Sequence, residues 1–326
     1  MNCEFCTVKG KPRYASPERL VEQIAGLYET HGARSFFLVD DLFGQDRSET
    51  LRLCRMLRAY QKKVRKRFEI TVQIRLDKAK DEELLEAMRE AGIFMLAVGY
   101  ESPIAEELTA MNKHLKPEEM VDLTRNFRRA GFRVHGMFIF GYPMKDDVAF
   151  RMEASERARR FRKFIRKANL DTVQVLLPVP LPGTELRSRL DQQRRVYRLD
   201  CIGWEYYDGN FPLFEPDAPL TAEEMQDAIH RIMGRFYRLK HMFSIAFHTM
   251  AFPTFLFYSY NVKAGWRGWS RRWWNSVFRF GGWLTLRRWL LESKKGKFAE
   301  KLDRAKNSRA DQNVREPMTT EKATPR

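Results

Sequence analysis

The strongest constraint on the fold is an alternation of short apolar runs with helical segments across the first 190 residues. The segments between the runs have helical periodicity, and Ser16, Pro17 and Glu18 supply an N-cap, a first-turn proline and a first-turn acid. Such alternation predicts parallel βαβ units. The predicted strands are 35–39, 69–75, 93–100, 133–140 and 172–177. The first run, which lacks polar alternation, is expected to be buried on both faces.

Polar residues and glycines follow each predicted strand. Because the carboxyl ends of parallel strands meet at one edge of a sheet, these residues should share one rim. They are Asp40, Asp41, Arg75, Glu101 and Gly141. Cys3 and Cys6 directly precede the first helix and should lie on the same rim. Alone, this pair fits half a zinc site, a redox pair or two unrelated thiols.

The remaining cysteines and the net charge say less about function. Cys54 lies in a predicted helix and is interpreted as a plain buried thiol, and Cys201 is assigned no role. Four cysteines do not make a disulfide framework in 326 residues, and a reducing cytoplasm is expected. The net charge of +17 suits an acidic partner, which leaves nucleic acid, an anionic membrane or a phosphorylated substrate open.

Five motifs in order give the chain a resemblance to a known superfamily. After Cys-Glu-Phe-Cys come Val39-Asp-Asp-Leu-Phe43, Gly99-Tyr-Glu-Ser102, Gly136-Met-Phe-Ile-Phe-Gly-Tyr-Pro143 and Leu177-Pro-Val-Pro-Leu-Pro-Gly-Thr184. Together they resemble the radical S-adenosylmethionine (radical SAM) superfamily. More narrowly, they are similar to the members that carry an upstream cobalamin-binding domain. The resemblance covers residues 1 to about 190.

The resemblance implies a fold and a cluster. The expected fold is α/β, a partial (β/α)6 TIM-type barrel lacking its first strand, with a mostly helical C-terminal extension. The expected divisions are 1–190 for the core, 191–310 for the extension and 311–326 for a disordered tail. Cys3 and Cys6 match the second and third cysteines of the family motif Cys-x3-Cys-x2-Cys, which binds a [4Fe–4S] cluster. The first cysteine would fall upstream, so the chain is expected to be truncated at its N-terminus.

The resemblance also implies contacts to S-adenosylmethionine (SAM) through the aromatic and acidic residues. Phe5 would pack near the cluster and offer backbone atoms to the adenine. Asp40 and Asp41 would meet the amino group of SAM, or else cap and solvate a loop. Glu101 would contact the ribose, or pair with a lysine such as Lys113.

Three further residues complete the implied set. Arg75 would neutralise the carboxylate of SAM, or simply be solvated. Gly136 and Gly141 would let the adenine approach the backbone, although Gly141 could serve only as a turn residue.

The C-terminal extension raises a separate question of location. Residues 242–260 carry no formal charge, and six of the seven tryptophans lie between 266 and 289, among arginines. This pattern favours peripheral membrane contact through 242–290, with a true span, a helix packed on the barrel and nucleic-acid binding as alternatives. The basic helix predicted at 148–169 is interpreted as a solvated outer face, and nucleic acid is not favoured. The expected location is the cytoplasm, with contact at the inner face of the membrane as an option.

The expected function is that of a radical SAM enzyme with an unknown substrate. It would cleave SAM reductively to a 5′-deoxyadenosyl radical, with an electron from a flavodoxin or ferredoxin. A lipid-like substrate and a cobalamin-assisted methyl transfer would suit the extension and the subgroup. The competing hypothesis is a non-catalytic fragment or membrane-associated interaction protein without a competent cluster.

Overall fold

The computed structural model describes residues 3–8, 13–145, 148, 150–252, 262–295 and 298–315. Five parallel strands alternate with helices in the first part of the chain, as the sequence predicts. In order, the elements are α1 (Pro17–His31), β1 (Ser35–Phe43), α2 (Arg47–Val64), β2 (Glu69–Ile74), a 3₁₀ turn (Leu76–Lys80), α3 (Glu82–Glu90), β3 (Ile93–Glu101), α4 (Ala105–Ala110), α5 (Pro117–Arg129), β4 (Arg133–Ile139), α6 (Ala154–Ala168) and β5 (Thr172–Leu176).

The second part of the chain is mainly helical. Its elements are α7 (Glu185–Gln192), α8 (Leu199–Ile202), a 3₁₀ turn (Trp204–Tyr206), α9 (Ala222–Phe236), α10 (Lys240–Met250), α11 (Val262–Lys295) and α12 (Phe298–Arg315). Helix α12 reaches five residues into the segment expected to be disordered, and 316–326 lie outside the described residues.

The sheet has the strand order β1-β2-β3-β4-β5, and every neighbouring pair is parallel. One face carries the buried apolar side chains that pack against the helices, such as Ile70, Val72 and Phe138. The register places the alternate residues on the opposite face, which is the concave side of a barrel-like sheet. These are Phe37, Thr71, Gln73, Met95, Ala97, Gly99, His135, Met137, Ile139, Thr172 and Gln174.

Strand β1, an edge strand, differs from its prediction, because only the face that carries Phe36 and Leu38 packs on the core. Phe37 is 56% exposed and Val39 is 90% exposed, so the expected burial on both faces is wrong. The register to β2 is irregular between Leu38 and Phe43, and the strand extends through Asp40 and Asp41 instead of ending at a turn. An apolar run predicts a strand but does not reveal whether both faces of that strand are covered by other parts of the protein.

Strand β5 forms the other edge, and the extension covers it. The Tyr237 hydroxyl donates to the Val173 carbonyl at 2.5 Å and accepts the Val173 N–H at 2.9 Å. The Leu177 N–H donates to the Gly209 carbonyl at 2.7 Å. Tyr237 and Gly209 therefore satisfy backbone groups that an uncovered edge would leave to solvent.

The apolar core continues past residue 190 into the extension. Met225, Ile229 and Ile232 of α9 are buried in the same cluster as the residues of the sheet. Gly141 has φ +74°, and a Cβ there would lie 2.7 Å from the Cε of Met225. The turn after β4 thus needs glycine both for its backbone conformation and for the close approach of α9.

The basic helix α6 begins at Ala154 and is only partly a solvated face. Arg157 is fully buried and donates from Nη1 to Glu107 Oε1 at 2.7 Å. The hydroxyl of Ser102 also donates to Glu107. Burial raises the pKa of Glu107 to about 7, against the opposing effect of Arg157. The interpretation of Arg157 as solvated is wrong, because its partner Glu107 is fifty residues away in sequence and cannot be read from the helix alone.

Helix α11 docks on the amino ends of β4 and β5. The fully buried carboxylate of Asp171 accepts hydrogen bonds from Arg128 at 2.8 Å, Arg271 at 2.8 Å and Asn275 at 2.7 Å. Arg279 donates to the Leu170 carbonyl at 2.8 Å. Part of the tryptophan- and arginine-rich segment is therefore a packed helix. In the described part of the chain, no helix is both long and apolar enough to cross a bilayer. Residues 253–260 of the uncharged stretch lie outside the described residues.

Candidate cofactor site at the carboxyl ends of the strands

The Cys3–Cys6 turn lies beside segments that follow β3 and β5. The Cys6 N–H donates to the Cys3 carbonyl at 3.1 Å, which closes the turn. The Glu4 N–H donates to the Met111 carbonyl at 3.2 Å, and the Glu4 carbonyl accepts the Leu186 N–H at 3.1 Å. These backbone contacts hold both cysteines, each of them half-buried, on the side of the sheet where the strands end.

The side chain of Glu4 is buried inside this turn. Its carboxylate accepts the Tyr142 hydroxyl at 2.6 Å and two Arg189 nitrogens at 2.6 and 3.1 Å. Arg189 also donates to the carbonyls of Pro143 and Met144 at 3.2 and 2.8 Å. Burial and the adjacent Glu4 carboxylate raise the pKa of Tyr142, so it stays protonated and donates. The cysteine turn is thus bound to the turn after β4 and to α7.

Phe5 uses the same contact region. Its ring meets the Tyr142 ring edge to face, with the centroids 6.1 Å apart. Because Glu4 and Phe5 both anchor on Tyr142, the two residues between the cysteines fix how the turn sits. The position of Phe5 beside the cysteines agrees with its expected place, and its contact to adenine remains a prediction.

Glu101 and Lys113 form an ion pair next to Cys3. Lys113 binds the Glu101 carboxylate and donates to the Gly99 carbonyl at 3.1 Å. A Cβ on Gly99 would lie 3.2 Å from Lys113 Nζ, so the missing side chain makes room for the pair. Glu101 has φ +60°, a conformation that costs a non-glycine residue energy and recurs at functional sites.

Burial and the neighbouring charges have opposing effects on the pKa of the Cys3 thiol. Burial raises the pKa of the Cys3 thiol, Lys113 lowers it, and Glu101 and Cys6 raise it. The net effect is a raised pKa for Cys3, and Lys113 is the neighbouring positive charge that opposes this rise. The sequence allows two roles for Glu101, and the pairing with Lys113 is the one that the structure contains. A ribose contact remains a prediction.

Three predicted site residues contact only neighbouring parts of the protein surface in the described structure. Asp40 Oδ1 accepts the Leu42 N–H at 3.2 Å, and the Asp41 backbone carbonyl accepts the Gln73 amide at 3.2 Å. Both aspartates are exposed. Arg75 pairs with Asp77 at 2.7 Å at the surface. Their expected contacts to SAM remain predictions.

The space beside Gly136 is filled by protein. A Cβ there would lie 2.5 Å from Leu170 Cδ1 and 2.9 Å from Phe138 Cε2. This glycine sits on the helix-facing side of β4, so its missing side chain serves core packing. Gly141 similarly accommodates Met225. Because protein atoms fill the space where a side chain would stand, adenine could contact Gly136 or Gly141 only through their backbone N–H or C=O groups. Such a contact remains a prediction.

Several residues of the site were not found by sequence reasoning. Glu4, Tyr142 and Arg189 are distant in sequence and come together only in the fold. The acidic residue between the two cysteines of the motif was a signal that the sequence offered. His135 lies on the concave face, with Nδ1 2.8 Å from the Thr172 hydroxyl oxygen. Burial lowers the pKa of His135, which favours the neutral imidazole.

The donor atoms fit part of an iron–sulfur cluster. A [4Fe–4S] cube that leaves one iron open needs three thiolates, and the turn offers Cys3 and Cys6. Within the described residues, no group of three or more His, Cys, Asp or Glu side chains is arranged to hold a metal ion. The residues present can therefore hold two irons of such a cube.

The comparison with protein families decides the assignment. Residues 1–154 match the model of the Radical SAM superfamily. This part of the chain belongs to the radical SAM superfamily. The radical SAM match contains the cysteine turn, strands β1 to β4 and the Glu101–Lys113 pair.

Curated relatives of this radical SAM chain include methylases and cyclases. The hopanoid C-2 methylase of Rhodopseudomonas palustris is 28% identical over 203 residues, which are 61% of this chain and 37% of the relative. The anaerobic magnesium-protoporphyrin IX monomethyl ester cyclase of Cereibacter sphaeroides is 25% identical over 246 residues, 74% of this chain and 37% of the relative. The chain thus spans well under half the length of these two relatives.

Solved structures show the same fold at low identity. TsrM from Kitasatospora setae, a radical SAM methyltransferase described with cobalamin and a [4Fe–4S] cluster, aligns with a TM-score of 0.51 at 14% identity, over 85% of this chain and 58% of TsrM. The cobalamin-dependent radical SAM enzyme OxsB aligns with a TM-score of 0.51 at 12% identity, over 92% of this chain and 54% of OxsB. These neighbours confirm the barrel-like α/β architecture.

Proposed function

We propose that this chain holds the cluster and SAM of a radical SAM enzyme at the carboxyl ends of its strands. The observation that carries the proposal is the Cys3–Cys6 turn, anchored by a buried Glu4 and facing the Glu101–Lys113 pair. When bound, the cluster and SAM supply the reductive cleavage that gives a 5′-deoxyadenosyl radical. The protein supplies binding, orientation and protection from solvent.

Each residue of the chain has a distinct part in this proposal. Cys3 and Cys6 bind iron as thiolates, and Lys113 stabilises the negative charge at Cys3. Glu4 fixes the turn through Arg189. The residues proposed to contact SAM are Phe5, Asp40, Asp41, Arg75, Glu101, Gly136 and Gly141.

We also propose that the third thiolate comes from residues outside these 326. Support comes from the donor count, since two thiols cannot complete the set, and from β1, whose far edge has no partner strand in the described part of the chain. A further strand next to β1 would cover Phe37 and Val39. The cobalamin of the related enzymes would then be bound by a domain outside this chain.

The proposed reaction is methyl transfer to an apolar, lipid-like substrate. The concave face supports it, because Met95, Met137 and Ile139 line that side with apolar groups. The hopanoid methylase relative supports the same substrate class. The electron would come from a small donor such as a flavodoxin or ferredoxin.

Anaerobic iron–sulfur reconstitution tests the core of this proposal. We expect fewer than four irons per chain in the 326-residue protein, and less in Cys3→Ala and Cys6→Ala. Cys201→Ala, at a half-buried thiol away from the turn, is the matched control and should keep the wild-type iron content. Adding an N-terminal segment with a cysteine four residues before Cys3 should raise iron to four and stabilise the charge-transfer absorption.

Two results would count against parts of the proposal. Equal iron in wild type, Cys3→Ala and Cys6→Ala would refute the cysteine turn as the cluster site and favour a non-catalytic role. A stable four-iron cluster in the 326-residue chain alone would refute only the outside thiolate.

A further inference from the structure

Helix α10 presents an apolar face to solvent. Leu239, Phe243, Phe247 and Met250 are spaced by four, four and three residues, which places them on one side of the helix. Phe243 is 64% exposed, Phe247 68% and Met250 80%. The helix contains no buried residue at all. We call these four side chains the apolar stripe.

The inward side of α10 is polar instead. The Ser244 hydroxyl lies 3.0 Å from that of Ser276 on α11. Two indole N–H groups of α11 also point at α10, with the first donating to the His248 carbonyl and the second to the Thr249 hydroxyl, both at 2.9 Å. A surface helix of a globular protein normally turns its apolar side inward. Ile245 is the apolar exception on the inward side, and the outward apolar residues of α10 would gain from an apolar partner.

A cationic cavity lies next to the start of α10. It has a volume of about 380 Å³ and is bounded by α6, α9, α10 and α11. We call it the basic cavity. Five arginines and one lysine line it, and its lining contains no carboxylate; these cations are Arg162, Arg166, Arg235, Arg238, Lys240 and Arg279.

The cations of the basic cavity repel one another. Burial lowers the pKa of Arg162, and the nearby Arg235 and Arg231 lower it further. Arg279 is engaged with backbone carbonyls and stacks on the Phe236 ring, 4.4 Å from its centroid. The remaining cations face an opening that an anion would neutralise. An anion bound there would lie directly beside the apolar stripe, because Arg238 and Lys240 flank Leu239.

We propose that the apolar stripe and the basic cavity together dock the protein on an anionic phospholipid bilayer. The headgroup phosphate would occupy the basic cavity, and the apolar stripe would enter the boundary between headgroups and acyl chains. Eleven residues make a helix of about 16 Å, too short for a hydrocarbon core of about 30 Å, so α10 lies in the plane of the surface. Within 242–290 the apolar stripe uses only residues of α10, because Arg271 and Arg279 of α11 are bound to Asp171 and Leu170. The other cations of the basic cavity lie before residue 242.

This surface also has a defined orientation relative to the cofactor site. Helix α11 meets the sheet at Asp171 and Leu170, directly before β5, whereas the cysteine turn contacts Tyr142, after β4. The bilayer therefore binds at the amino ends of the strands, and the cysteine turn faces away from it.

Vesicle flotation of the full chain tests the proposal. We expect binding to vesicles of phosphatidylcholine with 30% phosphatidylglycerol and about tenfold weaker binding in Phe247→Ser. Arg235→Gln combined with Lys240→Gln should weaken binding about 25-fold, since each cation near the surface contributes about a fivefold effect. The matched controls are Leu27→Ser, an exposed leucine on α1, and Lys116→Gln, an exposed lysine before α5; both should bind as wild type. Circular dichroism confirms that each variant is folded.

Other occupants give distinct results. Absence of vesicle binding, or equal binding of wild type and Phe247→Ser, would overturn the proposal. So would a dimer in sedimentation without vesicles that Phe247→Ser dissociates, because the stripe would then pair with a second copy. Full competition by free glycerol phosphate, with no effect of Phe247→Ser, would show a soluble phosphate ester as the ligand and would overturn membrane docking.

Discussion

Two buried carboxylates, Glu4 and Asp171, have different roles at the two ends of the sheet. Glu4 sits in a loop and meets one arginine and one tyrosine, Arg189 and Tyr142. Asp171 directly precedes β5 and meets two arginines, Arg128 and Arg271, with Asn275 as a further donor. Both acids join segments that are more than 40 residues apart in sequence.

The difference lies in what each carboxylate holds. Asp171 compensates two partly buried guanidinium groups and fixes a long helix to the sheet, so its loss leaves two charges without a counter-ion. Glu4 fixes only a short turn whose backbone is already held by Met111 and Leu186. We therefore expect Asp171 to govern the stability of the fold and Glu4 to govern the cofactor site.

The largest expected effect is that of Asp171→Ala. Removing one partner of a buried ion pair costs roughly 3–5 kcal/mol, because the remaining charges stay buried and uncompensated. Urea unfolding followed by circular dichroism measures the loss. Asp122→Ala, at an exposed carboxylate paired with Arg125, is the control and should change the free energy of unfolding by about 0.5 kcal/mol or less. A loss of less than about 1 kcal/mol in the free energy of unfolding of Asp171→Ala would contradict the stabilising role of Asp171.

A smaller loss of stability with a larger loss of iron is expected for Glu4→Gln. The change replaces charge-assisted hydrogen bonds from Arg189, each worth about 1.5–3 kcal/mol, with the weaker neutral ones that glutamine can still accept. The turn should then position Cys3 and Cys6 poorly, and reconstituted iron should fall at least twofold per folded chain. Glu49→Gln, which alters an exposed pair with Arg52, serves as the comparison. If Asp171→Ala lowered iron per folded chain more than Glu4→Gln did, the division of roles would be wrong.

The smallest effect concerns pH. The arginines and the Val134 N–H outweigh burial and hold the pKa of Asp171 below its ordinary value of 3.8. A lowered carboxyl pKa stabilises the native state above the unfolded value, near 4, and this contribution is lost as pH falls through the native pKa. The stability difference between wild type and Asp171→Asn should therefore be constant from pH 7 to 5 and shrink below pH 4. A difference that grows on acidification would contradict the depressed pKa.

The sequence predicts the secondary structure and the contacts between residues that are close along the chain. It does not predict the contacts between residues that are far apart in sequence. The order of strands and helices follows from periodicity and caps, and the position of Cys3 and Cys6 follows from their place before α1. The pairing of Glu101 with Lys113 was foreseeable, because the partners are 12 residues apart. The partners of Glu4 and Arg271 lie 185 and 100 residues away, and only tertiary packing brings them together.

The contact of Tyr237 with β5 has a consequence for dividing the protein. One phenol hydroxyl both donates to and accepts from Val173, as a single residue of an adjoining strand would do. A fragment that ends near residue 190 would keep all five strands and yet expose this edge, together with the side chains that α9 covers. Uncovered edges recruit other chains. Dissection of the catalytic part from its C-terminal helices should therefore retain residue 237, and the smallest fragment that stays monomeric should end beyond it.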